Sequence, residues 1–154
     1  MDSLKESLEN VSAQRVPVMG NTMLRARDIM SRRVLTLRKD EPLVTAVMKL
    51  VARKVSGAPV VDTEGKLVGI LSEFDCMKIL ADGSFHQEGV PRTLKVEDLM
   101  STSLYSVDED SDLFAIASLF ISKRIRRLPV MSSGKLVGLV SRRDALSAIS
   151  QLYR

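Results

Sequence analysis

The stretch PLVTAVMKLVARK, beginning at Pro42, places Leu43, Val47, Leu50 and Val51 at i, i+4, i+7 and i+8. That spacing gathers apolar side chains on one face of a helix. Proline is pre-set for a first helical turn, so Pro42 opens this helix, and Gly57 ends it. The period then changes. Residues 58–61 form a continuous apolar run of strand length, 62–65 read as a polar turn, and 66–71 return as a second strand, together a hairpin. Ser72 starts a further helix toward Ala81; upstream, 24–30 read as a short helical lead-in and 34–37 as a short strand.

The same order recurs. Asp28-Ile29-Met30 is echoed by Asp98-Leu99-Met100 and Pro59-Val60 by Pro129-Val130, each 70 residues on (98 − 28, 129 − 59). GKLVGILSEFD from 65 and GKLVGLVSRRD from 134 share seven of eleven positions at an offset of 69 (134 − 65). The missing residue falls in the predicted turn, where an indel does least harm. The second copy has a lead-in at 95–100, a strand at 104–107 and a hairpin of 128–131 with 135–140. Its first helix is capped by Ser111 or Asp112, runs through Lys123 and carries Leu113, Ile116, Ala117 and Phe120 as an apolar stripe. Ser141 starts its last helix, which extends to about Leu152.

Each copy is thus a βαββα unit of about 55–60 residues, which buries too little surface to be stable alone. The expectation is an α+β fold in which two repeats pack sheet to sheet as one pseudo-symmetric module. Residues 1–23 form an N-terminal extension, 24–81 the first repeat, 82–94 a polar, Gly/Pro-containing connector, and 95–154 the second repeat.

Composition narrows the function. With no Trp, two Tyr and four Phe, the core is aliphatic and offers few platforms for stacked bases. The net charge of +4 suits an anionic ligand without selecting one. Cys76 and His86 are each the sole residue of their kind, so neither a disulfide nor a Cys/His metal cage is expected within one chain. His86 reads as a surface residue and Cys76 as a packed one. No apolar run approaches a membrane span, and the N-terminus lacks the order of a signal peptide, so a cytoplasmic protein is expected. Leu4, Leu8 and Val11 are spaced for a short docking helix, or equally for a frayed terminus. The GK pairs at 65–66 and 134–135 lack the rest of a P-loop.

Ser72 and Ser141 stand where a strand gives way to a helix, with Asp75 and Asp144 three residues on. The first backbone N–H groups of a helix have no intrahelical partners, and the dipole there favours negative charge. Ser-x-x-Asp at this place is a capping box, which needs no ligand. A carboxylate can also accept two hydrogen bonds from a vicinal diol, so a cap and a binding site are compatible.

These landmarks together (Asp-apolar-Met, x-Pro-Val, and G-x-x-x-G-h-h-S-x-x-D entering a helix) resemble the cystathionine-β-synthase (CBS) domain, and the tandem resembles a CBS pair, or Bateman module, over about 24–152. The resemblance implies a regulatory adenosine nucleotide (AMP, ADP or ATP, with S-adenosylmethionine as another option) held in clefts between the repeats. It also implies homodimers and a protein effector that the sequence does not name. Asp75 and Asp144 would bind ribose, with Ser72 and Ser141 beside them. Arg126 and Arg127, with Arg142 and Arg143, would meet phosphate, where the planar guanidinium fork suits the oxygens. An adenine slot would fall at Met30, Leu35, Val55 and Ser56 in one copy and at Met100, Tyr105 and Ile125 in the other; the same apolar residues also read as core. Gly69 and Gly138, within strands, fit a site edge.

The copies differ at the phosphate end. The first has Ser56-Gly57 and Glu73-Phe74 where the second has Arg126-Arg127 and Arg142-Arg143. The second copy, built on Asp144, is therefore expected to be the main phosphate site, although the run KRIRR also reads as a solvated helix end. No catalytic constellation or metal set is visible, so an enzyme is not expected. The competing readings are a ligand-free interaction scaffold and, with less support, a nucleic-acid binder using the Arg124–Arg127 patch.

Overall fold

The structure, a computed structural model, describes residues 23–82 and 89–152. The expectations for Leu4, Leu8, Val11 and His86 lie outside these residues. In chain order the first repeat contributes α1 (Ala26–Ile29), β1 (Leu37–Arg38), α2 (Leu43–Arg53), β2 (Gly57–Val61), β3 (Leu67–Ser72) and α3 (Glu73–Ala81). After a 3-10 turn (Val96–Asp98) the second contributes β4 (Val107–Asp108), α4 (Leu113–Lys123), β5 (Arg127–Ser132), β6 (Lys135–Ser141) and α5 (Arg142–Leu152).

Each repeat builds a three-stranded sheet, ordered β1-β2-β3 and β4-β5-β6. The outer pairs β1–β2 and β4–β5 are parallel and the hairpins β2–β3 and β5–β6 antiparallel. A parallel pair needs a crossover, and α2 and α4 supply it. The α+β architecture and both βαββα units are therefore as expected.

Three local expectations shift. β1 and β4 are two residues each, at the end of the runs 34–37 and 104–107, because their ladders hold only two rungs (Leu37 with Val60 and Arg38 with Val61; Val107 with Val130 and Asp108 with Met131). The helix read as PLVTAVMKLVARK, with Gly57 as its terminator, stops at Arg53 before any glycine. Lys54 takes the left-handed conformation (φ 54°, ψ 42°), and its N–H meets the Leu50 and Val51 carbonyls. Arg124 ends α4 in the same way (φ 51°, ψ 34°), a cap position more often given to glycine. Pro42 sits one residue ahead of the helix as its N-cap (φ −58°, ψ 137°), its carbonyl accepting from the Ala46 N–H at 3.2 Å, while the Leu43 N–H donates to the Leu94 carbonyl at 2.8 Å.

That last bond belongs to a larger exchange. Ala26, on the first lead-in, is fully buried in the second repeat's core beside Leu128, Val130 and Val140, and Leu24, Ile29 and Met30 pack there with it. Val96, on the second lead-in, is fully buried in the first core among Leu37, Val60 and Leu71, with Leu94, Leu99 and Met100. Backbone bonds fix the exchange at both ends. Ser31 and Leu139 trade N–H···O bonds of 2.9 and 3.0 Å, and Ile70 and Ser101 trade bonds of 3.0 and 2.9 Å. Each lead-in thus completes the core of the opposite repeat.

The close approach requires glycine. A Cβ on Gly69 would stand 2.5 Å from the Met100 sulfur and 3.0 Å from the Ser101 carbonyl oxygen. Gly138 faces Met30 and Ser31 in the same arrangement. Both glycines make room for the crossing lead-in.

Candidate functional site

β3 delivers Ser72 to the start of α3, where both halves of a capping box form. The Asp75 N–H donates to Ser72 Oγ (3.2 Å), and the Ser72 N–H donates to Asp75 Oδ2 (2.9 Å). The Ser72 hydroxyl donates to the same Oδ2 at 2.8 Å, while Lys78 Nζ donates to Oδ1 at 3.3 Å. Asp75 is 8% exposed, and no other charged or polar side chain among the described residues is as deeply buried. At α5 the Asp144 N–H donates to Ser141 Oγ (3.1 Å) and the Ser141 N–H to Asp144 Oδ2 (2.8 Å). The capping expectation therefore holds at both motifs.

Asp75 faces a cleft of about 740 Å³, which the first repeat lines with Ser56, Ile70, Ser72, Glu73 and Phe74. The second repeat contributes Ser101, Ser103, Ile125, Arg126 and Arg127 to it. The volume lies within the ~300–1,000 Å³ common for small-molecule sites. Arg127 reaches across the module, and its Nη2 donates to the Ser56 hydroxyl. Burial, reinforced by the Arg126 charge, pulls the Arg127 guanidinium below its ordinary pKa, with Glu73 acting in the opposite sense. A guanidinium so placed remains protonated at neutral pH.

This grouping puts arginines of the second repeat beside the aspartate of the first. Arg126 and Arg127, expected at the main phosphate site of the second copy, line the cleft of Asp75. The strand starts explain it: Gly57 pairs with Ser72 and Arg127 with Ser141 in equivalent registers, and the absence of a Gly57 side chain leaves room for the Arg127 fork. Arg142 instead donates from Nε to the Ile125 carbonyl at 2.8 Å, and Arg143 is exposed at the start of α5. Glu73, expected to make the first cleft unattractive to anions, shares it with two arginines.

The proposed base slot is dispersed. Ile125 and Ser56 line the cleft. Met100 and Leu35 pack on the first core and Met30 on the second. Val55 is exposed, and Tyr105 lies on the surface under Lys123 Nζ, 5.2 Å from its ring centroid. Sequence reasoning passed over Ser101, Ser103 and Ile70. Their only linear signal is that Ser101 follows Asp98-Leu99-Met100 as Ser31 follows Asp28-Ile29-Met30.

Elsewhere, a second and apolar groove of about 250 Å³ lies between α2 and α3, lined by Val44, Val47, Met48, Cys76, Met77 and Leu80. Cys76 is partly buried there, as expected, and burial raises its thiol pKa above the ordinary value, helped by Asp75. Among the described residues there is no cluster of three or more His, Cys, Asp or Glu side chains able to hold a metal. No helix among them is long and apolar enough to cross a membrane.

Comparison with known proteins adds the family. The model of the CBS domain matches twice, over 26–82 and 96–151. Protein MJ1225 of Methanocaldococcus jannaschii is 27% identical over 123 residues, which cover 80% of this chain and 42% of that one. This chain spans well under two thirds of such longer relatives. Among solved structures, CBSX2 in complex with AMP is 28% identical with a TM-score of 0.71, covering 84% of this chain and 98% of CBSX2. The CBS domain pair of MJ0100, solved with 5'-methylthioadenosine and S-adenosyl-L-methionine, shares the fold (TM-score 0.72, 24% identity, 86% of this chain and 100% of that one). With two family matches, in register with two structural repeats that complete each other's cores, the chain belongs to the CBS-domain family and carries that domain as a pair.

Proposed function

We propose that this CBS pair is a non-enzymatic regulatory module that binds an adenosine nucleotide in the cleft between Asp75 and the Arg126-Arg127 pair. One observation carries the reading: a buried carboxylate from the first repeat and two arginines from the second converge on one cleft. A carboxylate suits a ribose diol and a guanidinium suits phosphate. The AMP complex of CBSX2 supports a ligand of this class; AMP is the first candidate, with ADP, ATP and S-adenosylmethionine behind it. Because the cleft takes walls from both repeats, a ligand biases their packing by as much as its affinity differs between one packing of the repeats and another, and an effector protein reads that change. Exposed apolar side chains on α2–α3 (Met48, Met77, Leu80) and α4–α5 (Phe114, Ile121, Leu146) favour a homodimer. The test is calorimetric titration with each nucleotide. Saturable binding below about 1 mM is expected, weakened about tenfold by Asp75→Ala or Arg127→Ala. Absence of heat from all four ligands defeats the reading.

A ligand-free scaffold remains the second reading, favoured by the apolar groove between α2 and α3 and by capping boxes that are complete without a ligand. Such a protein would give no heat with any nucleotide.

A further inference from the structure

The two Ser-x-x-Asp helices differ in one chemically decisive place. Three residues beyond Asp75 stands Lys78; three beyond Asp144 stands Ser147. An ionised carboxylate has about four lone-pair positions for donors. In Asp75 three are filled: Oδ2 accepts from the Ser72 N–H and hydroxyl, and Oδ1 accepts from Lys78 Nζ at 3.3 Å. The ammonium is held from a second side, 5.3 Å above the centroid of the Phe74 ring. Among the described residues neither hold exists at Asp144, where position 143 is Arg and the aspartate's side chain accepts from the Ser141 N–H alone.

A vicinal diol brings two donors, and the latched Asp75 has one position left. We propose that Lys78 is a built-in latch on the Asp75 cleft, its ammonium occupying the carboxylate oxygen that a ribose diol requires. The latch rests on the nucleotide reading above and deepens it: Lys78 sets the affinity threshold of this cleft, and the contrast with Ser147 makes the two motifs unequal. A ligand with a single hydroxyl at the ribose end can share Asp75 with Lys78. One with two must displace the ammonium.

The test is calorimetric titration of AMP and of 2'-deoxyadenosine monophosphate into Asp144→Ala protein, which isolates the Asp75 cleft, with and without Lys78→Met. Should Asp144→Ala fail to fold, Asp144→Asn, which keeps a capping acceptor, replaces it. Methionine keeps an apolar stem over Phe74 and removes the charge. The expected result is about threefold tighter AMP binding at low salt, the scale of an exposed ion pair, and a smaller gain at high salt. The deoxynucleotide should gain nothing. Unchanged or weaker AMP binding in Lys78→Met overturns the latch, as does an equal gain for both nucleotides. If neither protein binds either nucleotide, the nucleotide reading falls and the latch is judged by itself in lysine ammonium NMR. A Lys78 ammonium with cross-peaks to the Phe74 ring, lost in Asp75→Asn, then supports it; a freely exchanging ammonium without those cross-peaks overturns it.

Discussion

Arg127 leaves the second repeat and donates a hydrogen bond from Nη2 to the Ser56 hydroxyl of the first, through space that exists because residue 57 has no side chain. A Cβ on Gly57 would stand 2.5 Å from Arg127 Nη1 and 2.9 Å from the Leu71 carbonyl oxygen. The repeats are thus joined by an arginine that also lines the cleft.

Gly57→Ala is expected to destabilise the protein by about 1–3 kcal/mol, the cost of overpacking a tight site, and to displace Arg127. Urea unfolding measures the first effect. Adding Arg127→Ala should recover only part of the loss, since the clash with the Leu71 backbone remains.

The caps and the cleft can be separated. Asp112 Oδ1 accepts from the Ala115 N–H at 2.8 Å and so caps α4, and Asp112 does not line the cleft. Asp112→Ala and Asp75→Ala should each cost about 1 kcal/mol in thermal or chemical unfolding. Only Asp75→Ala should also weaken nucleotide binding. Equal binding losses would mean that both act through helix stability alone.

The lead-in exchange sets which fragments fold. A fragment spanning 24–81 lacks Val96, Leu94 and Met100, which close its core. One spanning 32–101 retains them. Far-UV circular dichroism and dispersion of amide NMR signals should show more structure in the second than in the first. The reverse result would mean that the sequence repeats, not the exchanged units, carry stability.

Cys76 should be a sluggish nucleophile. Burial and the neighbouring Asp75 carboxylate both disfavour its thiolate, so its pKa lies above that of an ordinary thiol. Because the thiolate is the reactive form, alkylation at pH 7–8 should run slower than for a free thiol. The rate should rise through a midpoint at higher pH, and a rate matching glutathione at pH 8 contradicts this.

Local periodicity made the elements legible. The stripe of Leu43, Val47 and Leu50 and the hairpin signals around Gly65 and Gly134 depend on neighbours a few residues away, and they fold as read, whereas Val51, read on the same stripe, is exposed. Errors came where a distant partner decides. Pro42 caps its helix from outside, where the Leu43 N–H meets the distant Leu94 carbonyl, and α2 ends at a left-handed Lys54 with no glycine to announce it. In the site, the capping boxes were legible because Ser and Asp lie three residues apart. Ser101 and Ser103 were not, because they reach the cleft by crossing from the other repeat.

Repetition along the chain already specifies a tandem CBS pair in which each copy ends in a capped helix, since identical residues at fixed offsets impose the same local geometry twice. Packing between the repeats sets which arginines share a cleft with which aspartate. Glu73-Phe74 against Arg142-Arg143 pointed to the second copy as the main phosphate site among clefts between the repeats. The folded module brings Arg126 and Arg127 to the cleft of Asp75, where Gly57 leaves room for the Arg127 side chain. Pairing across a pseudo-symmetric interface depends on packing between distant segments, and no spacing along one copy records it.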